Sequence, residues 1–201
     1  MVERIHNYFR SLGLDDEEAE SLHMRYYKEY GLAIRGLVQH HAIDPLDYDQ
    51  KCDASLPLEE ILRPDTRLID MLKSLKSRKT SVFSLTNAYR VHARRVLSLL
   101  QLDSIVEGIV YCDYTNRAFS CKPEAEFYLA AQEAVHAAPT AQHYFVDDSI
   151  ANVRQAIKLG WSKSVHYDEH GDFHEPFTTP DGILTISHLL QLPTVWPELF
   201  S

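Results

Sequence analysis

Two adjacent carboxylates follow a short aromatic and β-branched run at residues 144–146. The run has the character of a buried strand, and Asp147 and Asp148 come directly after it. Ligands of open α/β sheets bind at this end of the strands. Neighbouring acids repel each other and resist burial as ions, so a cation such as Mg²⁺ would compensate them. The alternative is that the acids only start a turn and cap a helix that begins near Ser149.

Polar side chains that bind anions follow two other predicted strands. Thr86 and Asn87 end one strand, and their hydroxyl and amide groups can donate to an anion. Lys122 follows the next strand and precedes Pro123, a residue favoured in the first turn of a helix, so its ammonium lies near the same sheet edge. A hydroxyl, a lysine and an acid pair together can hold a phosphate dianion that Mg²⁺ bridges to the carboxylates. Taken singly, Thr86 is explained as a strand-end cap and Lys122 as a surface charge.

An alternation of helices and strands positions these residues. Apolar and β-branched runs predict strands at residues 81–86, 105–112, 144–146, 163–167 and 183–186, with helices between most of them. This order indicates right-handed βαβ units and a mostly parallel sheet. By contrast, no β pattern occurs before residue 80, and the apolar spacing there is helical. We therefore predict a helical unit at 1–62 and an α/β core at 63–201, with an exposed tail at 193–201.

The composition excludes several classes of partner. The net charge is -9, from 20 basic and 29 acidic residues, and no Lys/Arg block occurs, which argues against nucleic acids and anionic membranes. Three cysteines without CxxC spacing predict reduced thiols. No apolar run reaches membrane-spanning length, and the first residues lack a signal-peptide core. We predict a cytoplasmic protein, with the nucleus as a second location, that binds a small molecule; its oligomeric state is left open.

Three short motifs resemble those of a known family. The order Leu-Thr-Asn-Ala (85–88), Cys-Lys-Pro (121–123) and Val-Asp-Asp-Ser (146–149) resembles motifs two, three and four of the haloacid dehalogenase-like (HAD) phosphohydrolases. Segments 26–37, 111–114 and 147–152 also look like the fungal and plant pyrimidine 5′-nucleotidases. The resemblance implies a HAD-like Rossmannoid parallel sheet with helices on both faces and an N-terminal helical cap.

The resemblance also implies roles for the core residues. Thr86 and Asn87 would bind the transferring phosphoryl group, and Lys122 would neutralise it and position the nucleophile. Asp147 and Asp148 would hold Mg²⁺ directly or through water. The implied activity is Mg²⁺-dependent hydrolysis of UMP or CMP through an aspartyl-phosphate.

Further positions are expected to support the acid pair or to contact the substrate. Ser149 and Asn152 would lie next to the acids and support them without binding the metal directly. Within the cap, Tyr27, Tyr30 and Arg35 are the candidates for closing over the nucleoside and selecting its base.

One departure from the family pattern limits these expectations. The family nucleophile is the first Asp of a DxDxT motif at the end of a strand that precedes the cap, and the only DxD string here is Asp47-Tyr48-Asp49. No strand pattern precedes it, so we predict a solvated helical segment without a catalytic role. The first, central strand of the sheet, between those ending at Thr86 and Asp147, is likewise missing. We therefore expect more residues before Met1 in the natural protein, and expect this chain alone to be inactive.

Three other kinds of protein share part of this residue pattern. A pseudophosphatase that binds phosphate or nucleotide without turnover is the alternative that the missing nucleophile favours. A haloacid dehalogenase needs no metal, so the paired acids at 147–148 speak against it. A response-regulator receiver has its acid pair at the first strand and its lysine last, whereas the order here is threonine, lysine, acids.

Overall fold

A computed structural model of the chain describes residues 1–76 and 80–200. Its α-helices are α1 (Val2–Ser11), α2 (Asp16–Tyr30), α3 (Ala33–His41), α4 (Pro45–Lys51), α5 (Leu58–Ile61), α6 (Thr66–Lys76), α7 (Arg90–Leu99), α8 (Ala125–Ala134), α9 (Ile150–Lys158), α10 (Leu192–Val195) and α11 (Pro197–Phe200). Its strands are β1 (Phe83–Thr86), β2 (Gly108–Tyr111), β3 (Tyr144–Asp147), β4 (Lys163–Tyr167), β5 (Phe177–Thr178) and β6 (Leu184–Ile186). The described residues before 80 are helical or irregular, as predicted.

The chain forms two compact units. The first comprises Met1–Arg63, Ser84–Leu100 and Ile109–Lys122, and the second comprises Pro64–Phe83, Gln101–Gly108 and Pro123–Ser201. Residues 1–63 thus share a unit with two later segments that carry Thr86 and Lys122. The assignment of 1–62 as a cap stays a prediction.

Local sequence signals set the limits of α2 in the first unit. Asp15 accepts a hydrogen bond of 2.9 Å from the Glu18 N–H, and Glu18 accepts one of 3.2 Å from the Asp15 N–H, which forms a capping box. At the other end Gly31 has a φ of 72°, a left-handed conformation that glycine adopts without steric cost. The capping box thus fixes the start of α2, and Gly31 fixes its end.

The packing of α2 on α3 depends on a second glycine. A Cβ atom at Gly36 would lie 2.2 Å from Cγ of Tyr26, which is too close for any side chain. Tyr26 is buried, as are Ile34 and Leu37 on α3 and Phe9 on α1. The glycine in this helix therefore allows the close approach of the tyrosine ring.

The second unit contains a four-stranded sheet in the order β3-β4-β6-β5. β3 pairs in parallel with β4, and β4 in parallel with β6, whereas the short β5 is antiparallel to β6. In the described part of the chain β1 pairs with β2 in a separate sheet. The mostly parallel sheet is confirmed.

The C-terminal segment packs against this sheet and is not the exposed tail that we predicted. Leu192 and Trp196 form a hydrophobic cluster with Val165 of β4 and Ile186 of β6. Trp196 keeps only 6% of its surface exposed. The prediction was wrong because α10 and α11 have only four residues each, too few for their apolar residues to show a helical period. None of the described helices combines the length and apolar character that crossing a bilayer requires.

Candidate functional site

In the first unit, Asn87 is bonded through its side-chain amide to the main chain of Lys122. The Lys122 N–H donates to Oδ1 of Asn87 at 2.7 Å, and Nδ2 of Asn87 donates to the Lys122 carbonyl at 3.0 Å. Both halves of the amide are used, so the peptide at Lys122 is held from both sides. The structure thus brings two predicted site residues, 35 positions apart, into direct contact.

The Lys122 ammonium lies at the carboxyl end of β1. Its Nζ donates to the Leu85 carbonyl at 2.7 Å, and the residue is only 8% exposed. Burying an ammonium removes its hydration, a cost that the carbonyl helps to offset. The positive charge is therefore held beside the strand end that carries Thr86.

The main chain around β1 is supported by further hydrogen bonds. The hydroxyl of the buried Tyr114 donates to the Asn87 carbonyl at 3.0 Å, and Sγ of Cys112 lies 3.8 Å from Oδ1 of Asn87. Burial raises the pKa of the Tyr114 phenol well above its usual value, so the hydroxyl stays protonated as a donor. Oγ1 of Thr86 accepts from the Ala88 N–H at 3.1 Å, which orients its hydroxyl at the strand end.

In the second unit, Asp147 ends β3 as predicted and is 7% exposed. Its Oδ1 accepts from the Ser149 N–H at 2.9 Å and from Nδ2 of Asn152 at 2.8 Å. The Asn152 carbonyl in turn accepts from the Tyr128 hydroxyl at 2.9 Å. Asp147 therefore makes the turn contact that the alternative reading proposed, and Ser149 and Asn152 do contact the acid.

Asp148 is exposed, and its main-chain carbonyl lies 3.1 Å from Nε2 of His166 on β4. The described residues contain no group of three or more His, Cys, Asp or Glu side chains that could hold a metal. A pair of carboxylates still fits Mg²⁺, which binds one or two carboxylates and fills its other positions with water and phosphate oxygens. The oxygen donors of Asp147 and Asp148 therefore suit this ion.

The three cap candidates all lie in the first unit, in different environments. Tyr27 is 52% exposed. The Tyr30 hydroxyl lies 2.8 Å from Nε2 of His40, and the Arg35 guanidinium lies 5.4 Å from the centre of the Phe119 ring. Tyr27 is the one of the three that lines the cavity described next.

A cavity of about 330 Å³ lies within the first unit. Its wall consists of Met1, Val2, Ile5, His23, Tyr27, Leu32, Ala33, Tyr48, Asp53, Asn87, Ala88, His92 and Tyr114. Small-molecule sites are mostly apolar clefts of about 300–1,000 Å³ with a few polar groups, and this cavity has that character. Asn87 is the residue that joins it to the predicted phosphate site.

Sequence reasoning missed the buried acids near this cavity. Asp47 and Asp49 lie in α4, so the helical prediction is confirmed, but Asp49 is buried rather than solvated. Asp47 accepts from the Tyr8 hydroxyl and from Lys51 Nζ, each at 2.9 Å. The one local signal of burial was that Tyr48 and Cys52, which are themselves buried, directly precede Asp49 and Asp53 in the sequence.

Burial changes the titration of this group. Loss of hydration, reinforced by repulsion from Asp53, raises the pKa of the Asp49 carboxyl to about 6. Loss of hydration also raises the pKa of Asp53 to about 6. The same cause lowers the pKa of the nearby His92 imidazole. These residues therefore favour their neutral forms more than exposed ones do.

Comparisons with known proteins agree with the fold. A haloacid dehalogenase-like hydrolase family model matches residues 2–160. Phosphate metabolism protein 8 of Saccharomyces cerevisiae is 37% identical over 178 residues, which are 84% of this chain and 56% of that protein. The chain thus spans just over half the length of this curated relative.

Solved structures resemble the chain at lower identity. A dehalogenase with an intermediate complex has a TM-score of 0.56 at 18% identity, covering 98% of this chain and 92% of that one. A HAD family enzyme from Bacteroides thetaiotaomicron, crystallised with magnesium and inorganic phosphate, has a TM-score of 0.50 at 22% identity, covering 86% and 89%. The match to most of the chain and the shared fold show that the protein belongs to the haloacid dehalogenase-like hydrolase family.

Proposed function

We propose that the protein functions as a Mg²⁺-dependent phosphomonoesterase of pyrimidine nucleoside 5′-monophosphates. The observation that carries the proposal is the placement of Lys122, a buried ammonium held against β1 by the Leu85 carbonyl and fixed at its main chain by Asn87. A fixed positive charge beside a strand end suits a phosphate dianion, since its position requires little rearrangement on binding.

Three residues of the first unit then have defined roles in binding the phosphate. Lys122 neutralises charge on the phosphoryl oxygens, and the Thr86 hydroxyl donates its proton to one of them while accepting from the Ala88 N–H. Asn87 acts through Lys122, because its side-chain amide is bonded to the Lys122 peptide. Asn87 is thus a positioning residue, and the phosphate itself contacts Lys122 and Thr86.

In the second unit Asp147 and Asp148 would hold the metal. Mg²⁺ supplies charge neutralisation and orientation of the phosphoryl group when it is bound. Ser149 and Asn152 keep the Asp147 carboxylate in one orientation through their hydrogen bonds to Oδ1. The Mg²⁺ and phosphate in the related Bacteroides thetaiotaomicron enzyme support this assignment.

The substrate class rests on the cap-like segment at 26–37 and on the cavity beside Asn87. The family mechanism proceeds through an aspartyl-phosphate, and the DxD string in α4 does not supply its nucleophile: Asp47 is engaged by Tyr8 and Lys51. We therefore place the nucleophile outside these residues.

The test is phosphate release from UMP, CMP and AMP by the protein isolated from its own cells, with Mg²⁺ and with EDTA. We expect faster release from the pyrimidine nucleotides, and none with EDTA. Replacing Lys122 by Met should lower kcat/KM by about 100- to 1,000-fold, since one fixed charge donor is lost. Lys158→Met, at an exposed position of α9, is the matched control and should leave the rate unchanged. Equal or faster release from AMP would contradict the substrate class.

The second candidate is a nucleotide-binding pseudophosphatase. The absence of an Asp-x-Asp string after any described strand favours it, since the single such string lies in α4. Calorimetry that detects UMP binding by the isolated protein, without phosphate release, would support it. A stoichiometric phosphoenzyme in rapid-quench experiments would exclude it.

A further inference from the structure

Asp53 is a buried acid in the wall of the first-unit cavity. Only 8% of its surface is exposed, and no hydrogen bond or ion pair joins its carboxylate to another described residue. A ligand in the cavity therefore meets a carboxylate whose hydrogen-bonding capacity the described residues do not use.

The remaining wall suits a flat ring. It is mainly apolar and aromatic, with Tyr27, Tyr48 and Tyr114 among its residues. Aromatic faces bind planar heterocycles by stacking. Asn87 belongs to the same wall, and its amide is bonded to the Lys122 peptide, so the cavity borders the segment that carries the predicted phosphate site.

We propose that Asp53 selects cytosine over uracil by accepting a hydrogen bond from the exocyclic amino group of the base. This inference rests on the proposed function, because it assigns the base end of the same site. Cytosine presents an amino donor next to an acceptor nitrogen, and carboxylates pair with that amino group. Uracil has carbonyl oxygens on both sides of its single N–H, and those oxygens repel a carboxylate.

The protonation state of Asp53 decides how well it discriminates between the two bases. Burial raises the pKa of its carboxyl to about 6, so the protonated form lies within reach of cellular pH. A protonated carboxyl donates to the ring nitrogen while its other oxygen accepts from the amino group. With uracil the protonated carboxyl also forms two bonds, because its carbonyl oxygen accepts from the ring N–H and its hydroxyl donates to a ring carbonyl. The ionised carboxylate is therefore the form that discriminates, and the preference for cytosine should be larger above pH 6 than below it.

The test is calorimetry on the isolated protein with cytidine, uridine, CMP and UMP. The carboxylate gains a bond from the cytosine amino group and is repelled by the uracil oxygens, so we expect wild-type protein to favour the cytosine ligands by about tenfold or more. The amide of an Asp53→Asn variant can pair with either base, and its preference should fall to near unity. Circular dichroism and thermal melting check that the variant is folded.

Asp49→Asn is the matched control. Asp49 is as buried as Asp53 and also has a raised pKa, but it is not part of the cavity wall. We expect this variant to retain the wild-type preference. An equal loss of preference in both variants would mean that the effect is structural, and would overturn the inference.

The outcomes separate this inference from the proposed function. Phosphate release with no cytosine preference in the wild type would overturn the inference and leave the proposed function intact. Cytosine preference that depends on Asp53, without any phosphate release, would support the inference while the proposed function fails. If wild-type protein binds neither nucleosides nor nucleotides, the inference is overturned. This outcome is read from the wild-type protein alone, so it does not depend on whether a variant folds.

Discussion

Replacing Asn87 by Ala removes both hydrogen bonds that hold the Lys122 peptide. The bond from the Lys122 N–H is 2.7 Å long and the bond to its carbonyl is 3.0 Å. Lys122 is 8% exposed, so the peptide freed by the substitution has little access to water. We therefore expect Asn87→Ala to destabilise the protein through the Lys122 main chain.

The magnitude follows from the two bonds and their burial. Each hydrogen bond contributes about 1 kcal/mol net, and a buried N–H left without an acceptor costs about 1–3 kcal/mol. We expect the free energy of unfolding to fall by about 2–4 kcal/mol in total. Asn116→Ala is the matched control: Asn116 is exposed and makes one local bond of 2.9 Å to the Ala118 N–H, so its loss should cost less than about 1 kcal/mol.

The assay is urea unfolding followed by circular dichroism, with inorganic phosphate binding measured by calorimetry. Besides the loss of stability, Asn87→Ala should bind phosphate more weakly, because the Lys122 ammonium is no longer fixed. An unfolding free energy within about 0.5 kcal/mol of wild type, the range of ordinary surface substitutions, would refute the role assigned to the Asn87 amide.

Two further predictions concern the first unit. The pKa of Asp49 is about 6 in the folded protein, against an ordinary value of 3.8. Its contribution to stability is therefore present below pH 4 and is lost as the pH rises through 6. We expect Asp49→Asn to gain stability relative to wild type between pH 4 and 7, measured as the difference in urea midpoints. A difference that shrinks over that interval would contradict the assignment. Gly36→Ala should destabilise the α2–α3 pair, because the new Cβ would lie 2.2 Å from Tyr26 Cγ, whereas Gly108→Ala, with a closest contact of 3.2 Å, should cost less in thermal melting. Equal melting temperatures for the two variants would contradict the packing argument.

The strand ends and the α/β order were predictable from the sequence because they depend on neighbouring residues. A β-branched run that stops at Asp147, or at Thr86, has a local period and a local stop. The capping residues of α2 are equally local, since the bonds between Asp15 and Glu18 span three positions. The residues at the strand ends are also the ones that carry the resemblance to the family.

The tertiary structure alone decided which side chains are buried and which groups they bond. Asn87 was predicted to face phosphate, yet its amide is bonded to Lys122, 35 residues away. Asp49 lies in a segment predicted to be solvated, yet it is buried, and the helix that carries it contacts α1 and α3. Asp53, for which nothing was predicted, is buried as well. A local pattern reflects the period of one segment, whereas burial and hydrogen-bond partners depend on segments far apart in the sequence. The bonded amide of Asn87 and the buried acid of Asp53 could therefore be identified only in the folded chain.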